Sequence, residues 1–172
     1  MKKVVLIGYM GSGKSVVSQK LSEIINFSAI ELDEFIEKKC EMSVKNIFET
    51  KGELFFRKIE HQLFLELLES EKNLIISTGG GTPCYYNNHE LLQNKNVISF
   101  YLKASIETLY NRLILEKENR PLIANLKQNE IKEFIAKHLF DRSYFYNQAT
   151  HKITIDSKNI TEIALEISNL LA

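Results

Sequence analysis

Residues 8–15 read Gly8-Tyr-Met-Gly-Ser-Gly-Lys-Ser15. The octet fits G-x-x-x-x-G-K-[ST], a loop whose backbone N–H groups cradle the phosphates of a nucleotide. In such a loop Lys14 reaches the β- and γ-phosphates and the Ser15 hydroxyl ligates Mg²⁺. Before it stands Lys2-Lys-Val-Val-Leu-Ile7, a short β-branched apolar run of the kind that forms a buried parallel strand. After it, Val16, Val17, Lys20, Leu21, Ile24 and Ile25 recur at helical spacing. Strand, glycine loop and helix in that order put the loop amides at a helix N-terminus, where an anion is favoured. A glycine-rich turn that binds nothing is the plainer alternative, and the strand–loop–helix context argues against it. The octet therefore reads as a nucleoside triphosphate site.

Working outward, strand candidates follow at Phe27–Asp33, Asn73–Thr78, Asn96–Leu102 and His151–Asp156. Helical patterns lie between them, at Glu34–Cys40, Ser43–Thr50, Glu53–Glu71, Tyr86–Asn94, Ser105–Leu115, Lys127–Asn147 and Asn159–Leu171. Strands alternating with amphipathic helices predict right-handed crossovers and a parallel sheet covered on both faces, an α/β fold. Ligands of such sheets sit beyond the carboxyl ends of the strands. Three predicted strand ends carry polar, site-like residues: the Gly8–Ser15 loop, Glu31/Asp33, and Ser77-Thr-Gly-Gly-Gly81. No repeat, low-complexity tract or linker divides the chain, so residues 1–172 are expected to form one domain.

Composition narrows the partners. Lys+Arg and Asp+Glu both number 22, so no overall basic field draws the chain to nucleic acid or to an anionic membrane. The apolar stretch Val4–Ile7 is too short for a signal peptide, and no apolar run is long enough to cross a bilayer. Cys40 and Cys84 are the only cysteines and form no metal or redox motif. A cytoplasmic location is expected.

Phosphoryl transfer asks for positioning and charge neutralisation. Asp33 could orient an acceptor hydroxyl and take its proton, or it could cap the following helix. Arg57 neighbours the stripe Phe56, Ile59 and Leu63, where its planar fork suits a carboxylate. It could equally be a solvated helix arginine. Glu60, three residues on, could orient it. Gly79-Gly80-Gly81 exposes backbone amides directly after a strand, as a ligand loop does, although a flexible connector has the same composition. Arg120 and Arg142 are candidate transition-state cations or surface arginines. Residues 116–129 are the least regular stretch, broken at Pro121. The stretch reads as a surface loop or as a lid that closes over ATP.

Taken together, Gly8-x-x-Gly-x-Gly-Lys-Ser15, Asp33, Gly52-Glu-x-x-Phe-Arg-x-x-Glu60, Gly79-Gly-Gly81, Arg120-Pro-Leu122 and Arg142-x-x-x-Tyr146 make the chain resemble the shikimate kinases. The resemblance spans most of the sequence. It implies a three-layer α/β/α P-loop kinase fold with a five-stranded parallel sheet and a short lid near residues 116–125. It also implies transfer of the γ-phosphoryl of ATP, with Mg²⁺, to the 3-hydroxyl of shikimate. On that resemblance Asp33, Lys14 and Arg120 are catalytic. Gly11, Ser12, Gly13, Lys14, Ser15, Val16, Arg112, Arg120 and Lys158 hold the nucleotide. Asp33, Arg57, Gly79, Gly80, Gly81 and Arg142 hold shikimate, and Ser15 and Glu31 serve the metal. The chain is expected to act as a monomer on a small molecule.

Two departures stand out. Glu31-Leu-Asp33 replaces the family's usual Asp-x-Asp, and Lys158 occupies a region where the family commonly has an arginine and a proline around adenine. Rival readings are another kinase of the same fold, acting on gluconate or a nucleoside monophosphate, and a GTPase-type switch. The guanine-reading Asn/Thr-Lys-x-Asp element is missing after Leu102, where Lys103-Ala-Ser-Ile106 follows.

Overall fold

The run Lys3–Ile7 (β1) is buried at every position because it is the middle strand of a five-stranded sheet. A computed structural model describes residues 1–172. The other strands are β2 (Ser28–Glu31), β3 (Leu74–Ser77), β4 (Val97–Lys103) and β5 (His151–Thr154), in the order β2-β3-β1-β4-β5. Every pairing is parallel. A strand with neighbours on both edges and helices on both faces has no solvated side, hence the unbroken apolar run rather than an alternating one. Even Lys3 is buried, its ammonium donating to the Ser70 and Lys72 carbonyls, each at 2.8 Å.

The helices are α1 (Lys14–Ile25), α2 (Leu32–Cys40), α3 (Val44–Lys51), α4 (Glu53–Glu69), α5 (Asn88–Leu91), α6 (Ile106–Leu115), α7 (Gln128–Tyr146) and α8 (Ile160–Leu171). Helices α1 and α8 pack together, α4 packs on α2 and α3, and α6 on α7. This is the three-layer α/β/α arrangement that right-handed crossovers require. Ser43, Ser105 and Asn159 start α3, α6 and α8 by accepting from the backbone N–H groups of Asn46, Thr108 and Glu162. One apolar core joins β1, β3 and β4 to Leu21, Ile36, Phe64, Leu113, Ile135 and Ile167. Each of these side chains contributes about 1.5–3 kcal/mol by leaving water.

Three sequence expectations need correction. The second strand stops at Glu31, and Leu32 and Asp33 already belong to α2. Asp33 is therefore a first-turn residue, where the helix dipole favours a carboxylate, and not a strand terminus. The helix expected over Tyr86–Asn94 shrinks to α5, because Tyr86 and Asn87 have φ of 49° and 56°, a conformation that interrupts a right-handed helix. Finally, α4 buries Arg57, Glu60, Phe64 and Leu67 beside the expected Phe56, while Ile59 and Leu63 are only partly buried at its margin. Its inward stripe thus carries an ion pair.

Candidate active site

The carboxyl ends of β1, β2 and β3 open into one crevice of about 480 Å³. Its floor is the loop between β1 and α1. Gly13 is the N-cap of α1 at φ 90°, which a side chain would strain. The Lys14 ammonium lies over the loop and donates to the carbonyls of Gly8 at 2.8 Å and Tyr9 at 3.1 Å. Burial lowers its pKa to about 8, although the carboxylates of Glu31 and Asp33 pull it back upward. An arriving phosphate restores the charge. Above about pH 8 the free loop therefore holds a growing fraction of neutral lysine, so the KM for ATP is expected to rise there. Initial rates at varied ATP between pH 7 and 9.5 check this, and a flat KM contradicts it.

At the next strand end, the Ser15 hydroxyl donates to Glu31 Oε2 at 3.0 Å, and Ser18 donates to Glu31 Oε1 at 3.2 Å. Asp33 faces the same space. The residue is exposed at the surface, yet its carboxylate packs beside Gly79, where a Cβ would lie 3.4 Å from Oδ1. That crowding, followed by repulsion from Glu60, raises its pKa to about 6, with Lys14 and Arg57 opposing. A carboxylate so placed is a better proton acceptor than a free aspartate.

Ser77 and Thr78, at the end of β3, complete the wall. Their sequence signal was their place at the polar end of an apolar run, just before the glycines. The buried hydroxyls of Ser12 and Ser77 have no protein partner, although buried polar groups nearly always find one. A phosphate oxygen or a hydrated cation in the crevice would satisfy them.

The glycine run joins the nucleotide loop to two arginines. Gly80 stands against the nucleotide loop, since a Cβ there would lie 3.5 Å from Gly8 O and from Met10 N, and 3.1 Å from Arg142 Nη1. A Cβ on Gly81 would lie 2.6 Å from Arg57 Nη2, so only glycine lets that guanidinium approach. Arg57 is buried, with Nη1 donating to Glu60 Oε2 at 2.9 Å. Glu60 in turn accepts from Thr82 Oγ1 at 2.7 Å. Burial alone would lower the Arg57 pKa, but the Glu60 carboxylate and its hydrogen bond outweigh this and raise it. The guanidinium also covers the Tyr85 ring, with Cζ 4.2 Å from the centroid. A cation locked on one edge keeps the remainder of its fork in a fixed direction.

Gly11, Gly13, Lys14, Ser15, Val16, Glu31, Asp33, Gly79, Gly80, Arg112 and Arg120 all line the crevice. Ser12 lies buried in the loop beneath, and Arg112 reaches the loop through a 3.1 Å bond from Nη1 to the Gly11 carbonyl. Arg120 projects from residues 116–125 and donates to Glu116 Oε2 from Nε and Nη2, at 3.1 and 2.7 Å. Arg57, Gly81 and Arg142 gather behind the glycine loop rather than on the crevice wall. Lys158 is not brought to the crevice: its ammonium is bound to Glu166 Oε2 at 2.6 Å, an i, i+8 reach from the loop before α8 that sequence spacing did not reveal.

The segment 116–125 is less loose than its composition suggested. Lys117–Asn119 form a 3₁₀ turn, Arg120 is extended as the residue before a proline should be, and Ile123 is fully buried.

Comparison with known proteins agrees with this geometry. The family model described as shikimate kinase matches residues 10–172. A shikimate kinase of Flavobacterium johnsoniae is 57% identical over 172 residues, covering 100% of both chains. Among solved structures, the shikimate kinase of Bacteroides thetaiotaomicron superposes with a TM-score of 0.90 at 32% identity, covering 99% of this chain and 98% of that one. The Acinetobacter baumannii shikimate kinase, solved in complex with shikimate, gives 0.86 at 30% identity over 99% and 93%.

Proposed function

The chain belongs to the shikimate kinase family, and from that premise we propose how its residues carry the reaction. The enzyme phosphorylates the 3-hydroxyl of shikimate, using ATP with Mg²⁺. The observation that supports the residue assignment best is the meeting of Lys14 and Asp33 in one crevice, with the Asp33 proton affinity raised. One group neutralises the transferring phosphoryl while the other accepts the proton of the attacking hydroxyl.

Shikimate is an acceptor with one carboxylate and three hydroxyls. Arg57 and Arg142 receive the carboxylate behind the glycine loop, and the amides of Gly79, Gly80 and Gly81 meet the ring's polar edge. Asp33 orients the 3-hydroxyl toward the phosphates. Gly11, Ser12, Gly13, Lys14, Ser15 and Val16 wrap those phosphates, Arg112 flanks the loop, and Arg120 reaches in from residues 116–125 acting as a lid. Lys158 remains a nucleotide contact only if closure frees it from Glu166.

The donor set fits Mg²⁺. The Ser15 hydroxyl and the Glu31 carboxylate already meet at 3.0 Å, both are hard oxygen ligands, and no cluster of three or more protein metal ligands exists. Mg²⁺ borne mainly by substrate phosphates and water needs no such cage. When bound, it neutralises phosphate charge.

We propose that the enzyme acts as a monomer on a small molecule, and its balanced net charge gives no overall basic field for nucleic acid. No helix is long and apolar enough to cross a membrane; we place the enzyme in the cytoplasm, where ATP is supplied.

Release of ADP with shikimate, gluconate and AMP offered side by side tests the acceptor. Turnover with shikimate alone is expected, and turnover only with gluconate or AMP contradicts it. Arg57→Lys keeps a cation beside buried Glu60 but loses the planar fork. It is expected to raise the KM for shikimate about tenfold while changing kcat less; unchanged constants contradict the carboxylate clamp. Hydrogen exchange of residues 116–125 is expected to slow when a nucleotide binds, and equal exchange with and without it counts against a lid.

A further inference from the structure

Helix α7 backs the nucleotide loop and the glycine loop through His138, Arg142 and Tyr146, spaced four residues apart along one stripe. His138 Nδ1 is 3.0 Å from the Tyr9 hydroxyl, and their rings meet edge to face at 5.4 Å. The Arg142 guanidinium stands 5.9 Å over the Tyr9 ring and beside Gly80. The Tyr146 hydroxyl donates to the Gly80 carbonyl at 2.6 Å, and its ring packs on Tyr101 at 5.1 Å.

Tyr9 is the second residue of the nucleotide loop and is 1% exposed. Its carbonyl accepts from the Lys14 ammonium at 3.1 Å and from the Ser12 amide at 3.1 Å. Backbone and side chain of one residue thus face opposite halves of the site. The backbone serves the phosphate-binding lysine, while the ring and hydroxyl serve the helix that carries Arg142. A phosphate that draws the Lys14 ammonium toward itself acts on the Tyr9 carbonyl, and the rigid ring passes that shift to α7. Burial, with Arg142 adding to it, lowers the His138 pKa to about 4, and burial raises that of Tyr9. The pair is accordingly a neutral phenol on a neutral imidazole at working pH, a bond that carries direction without charge.

We propose that Tyr9 is a positioning residue that couples the nucleotide loop to the acceptor pocket through His138 and Arg142. The proposal rests on the shikimate reading above. Either ligand orders the loop-to-α7 connection, so the second finds less left to order and binds more tightly.

The experiment is calorimetric titration of shikimate into the enzyme, alone and saturated with MgADP, and the quantity read is the ratio of the two dissociation constants. Wild type is expected to show tighter binding with MgADP. Tyr9→Phe, which removes only the hydroxyl, is expected to cut the ratio by about three- to tenfold, the worth of one hydrogen bond. His138→Leu should do the same, and the double variant should cut it no further. His138→Asn, which offers Oδ1 in place of Nδ1, should retain most of it. A wild-type ratio of one, or an unchanged ratio in Tyr9→Phe, overturns the proposal. Equal weakening of shikimate with and without MgADP marks a merely structural tyrosine and overturns it too. Failure of wild type to bind shikimate under either condition refutes the substrate reading itself, a result distinct from loss of coupling.

Discussion

Asp33→Asn is expected to lower kcat by about 10²–10⁴, the range that a positioned general base supplies. Asparagine keeps the size and the first-turn position in α2 but cannot accept the hydroxyl proton. The KM for shikimate should move less, because the proposed carboxylate clamp of Arg57 and Arg142 is untouched by the substitution. Wild-type kcat/KM should fall about tenfold per pH unit below about pH 6, where Asp33 becomes protonated, and this acid limb should vanish in the variant. A second consequence has the opposite sign. A carboxylate whose folded-state pKa lies above its usual 3.8 is least costly to the fold when protonated, so stability from this group is lost as pH rises toward and through about 6. The full shift corresponds to about 3 kcal/mol, and crevice water screens it to about 1 kcal/mol. The variant should therefore melt at a slightly higher temperature than wild type at pH 8. Loss of activity combined with a gain in stability is the signature of a residue held in place for chemistry. Thermal melts beside steady-state rates read both effects, and an unchanged kcat contradicts the assignment.

Lys14→Ala is expected to reduce kcat by about 10²–10³, the cost of removing one preorganised donor aimed at developing charge. The loss should be the same for any acceptor that the enzyme turns over, because Lys14 serves the phosphates and not shikimate. The KM for ATP should rise as well. Removing the ammonium also takes the lysine donor from the Gly8 carbonyl and leaves the Tyr9 carbonyl only the Ser12 amide, so Lys14→Met, which retains most of the buried stem, separates packing from charge. A methionine variant with wild-type turnover would refute the phosphate role.

The nucleotide half of the site was legible because its chemistry is local. A glycine loop bracketed by a strand and a helix is a single contiguous signal, and its backbone donors need no distant partner. The order of strands and helices was equally plain, since hydrophobic periodicity reports burial segment by segment. Element ends were harder. Asp33 reads as the tail of an apolar run, and only the turn at Glu31 places it inside a helix. Tyr86 and Asn87 look helical until their positive φ values are known.

The acceptor half depended on residues that meet only in three dimensions. The i, i+3 pair of Arg57 with Glu60 was readable from spacing, but its burial, with Thr82 as a further partner, is a tertiary fact that adds an ion pair to the apolar stripe. Ser77 and Thr78 read as polar residues at a strand end, but the unpartnered Ser77 hydroxyl is visible only in the folded crevice. Tyr9 stands at an unspecified position of the phosphate-loop pattern, and its partner His138 lies 129 residues away. The Lys158–Glu166 pair is legible only once α8 is folded.

The residue roles proposed above require a phosphate cradle and an acceptor pocket on either side of Asp33. A crystal structure of the enzyme with MgADP and shikimate tests that arrangement most directly. The expected result is the shikimate carboxylate on Arg57 and Arg142, and the 3-hydroxyl within about 3.2 Å of the Asp33 carboxylate, pointing toward the β-phosphate. Shikimate seated elsewhere, or bound with a different hydroxyl facing Asp33, would contradict it.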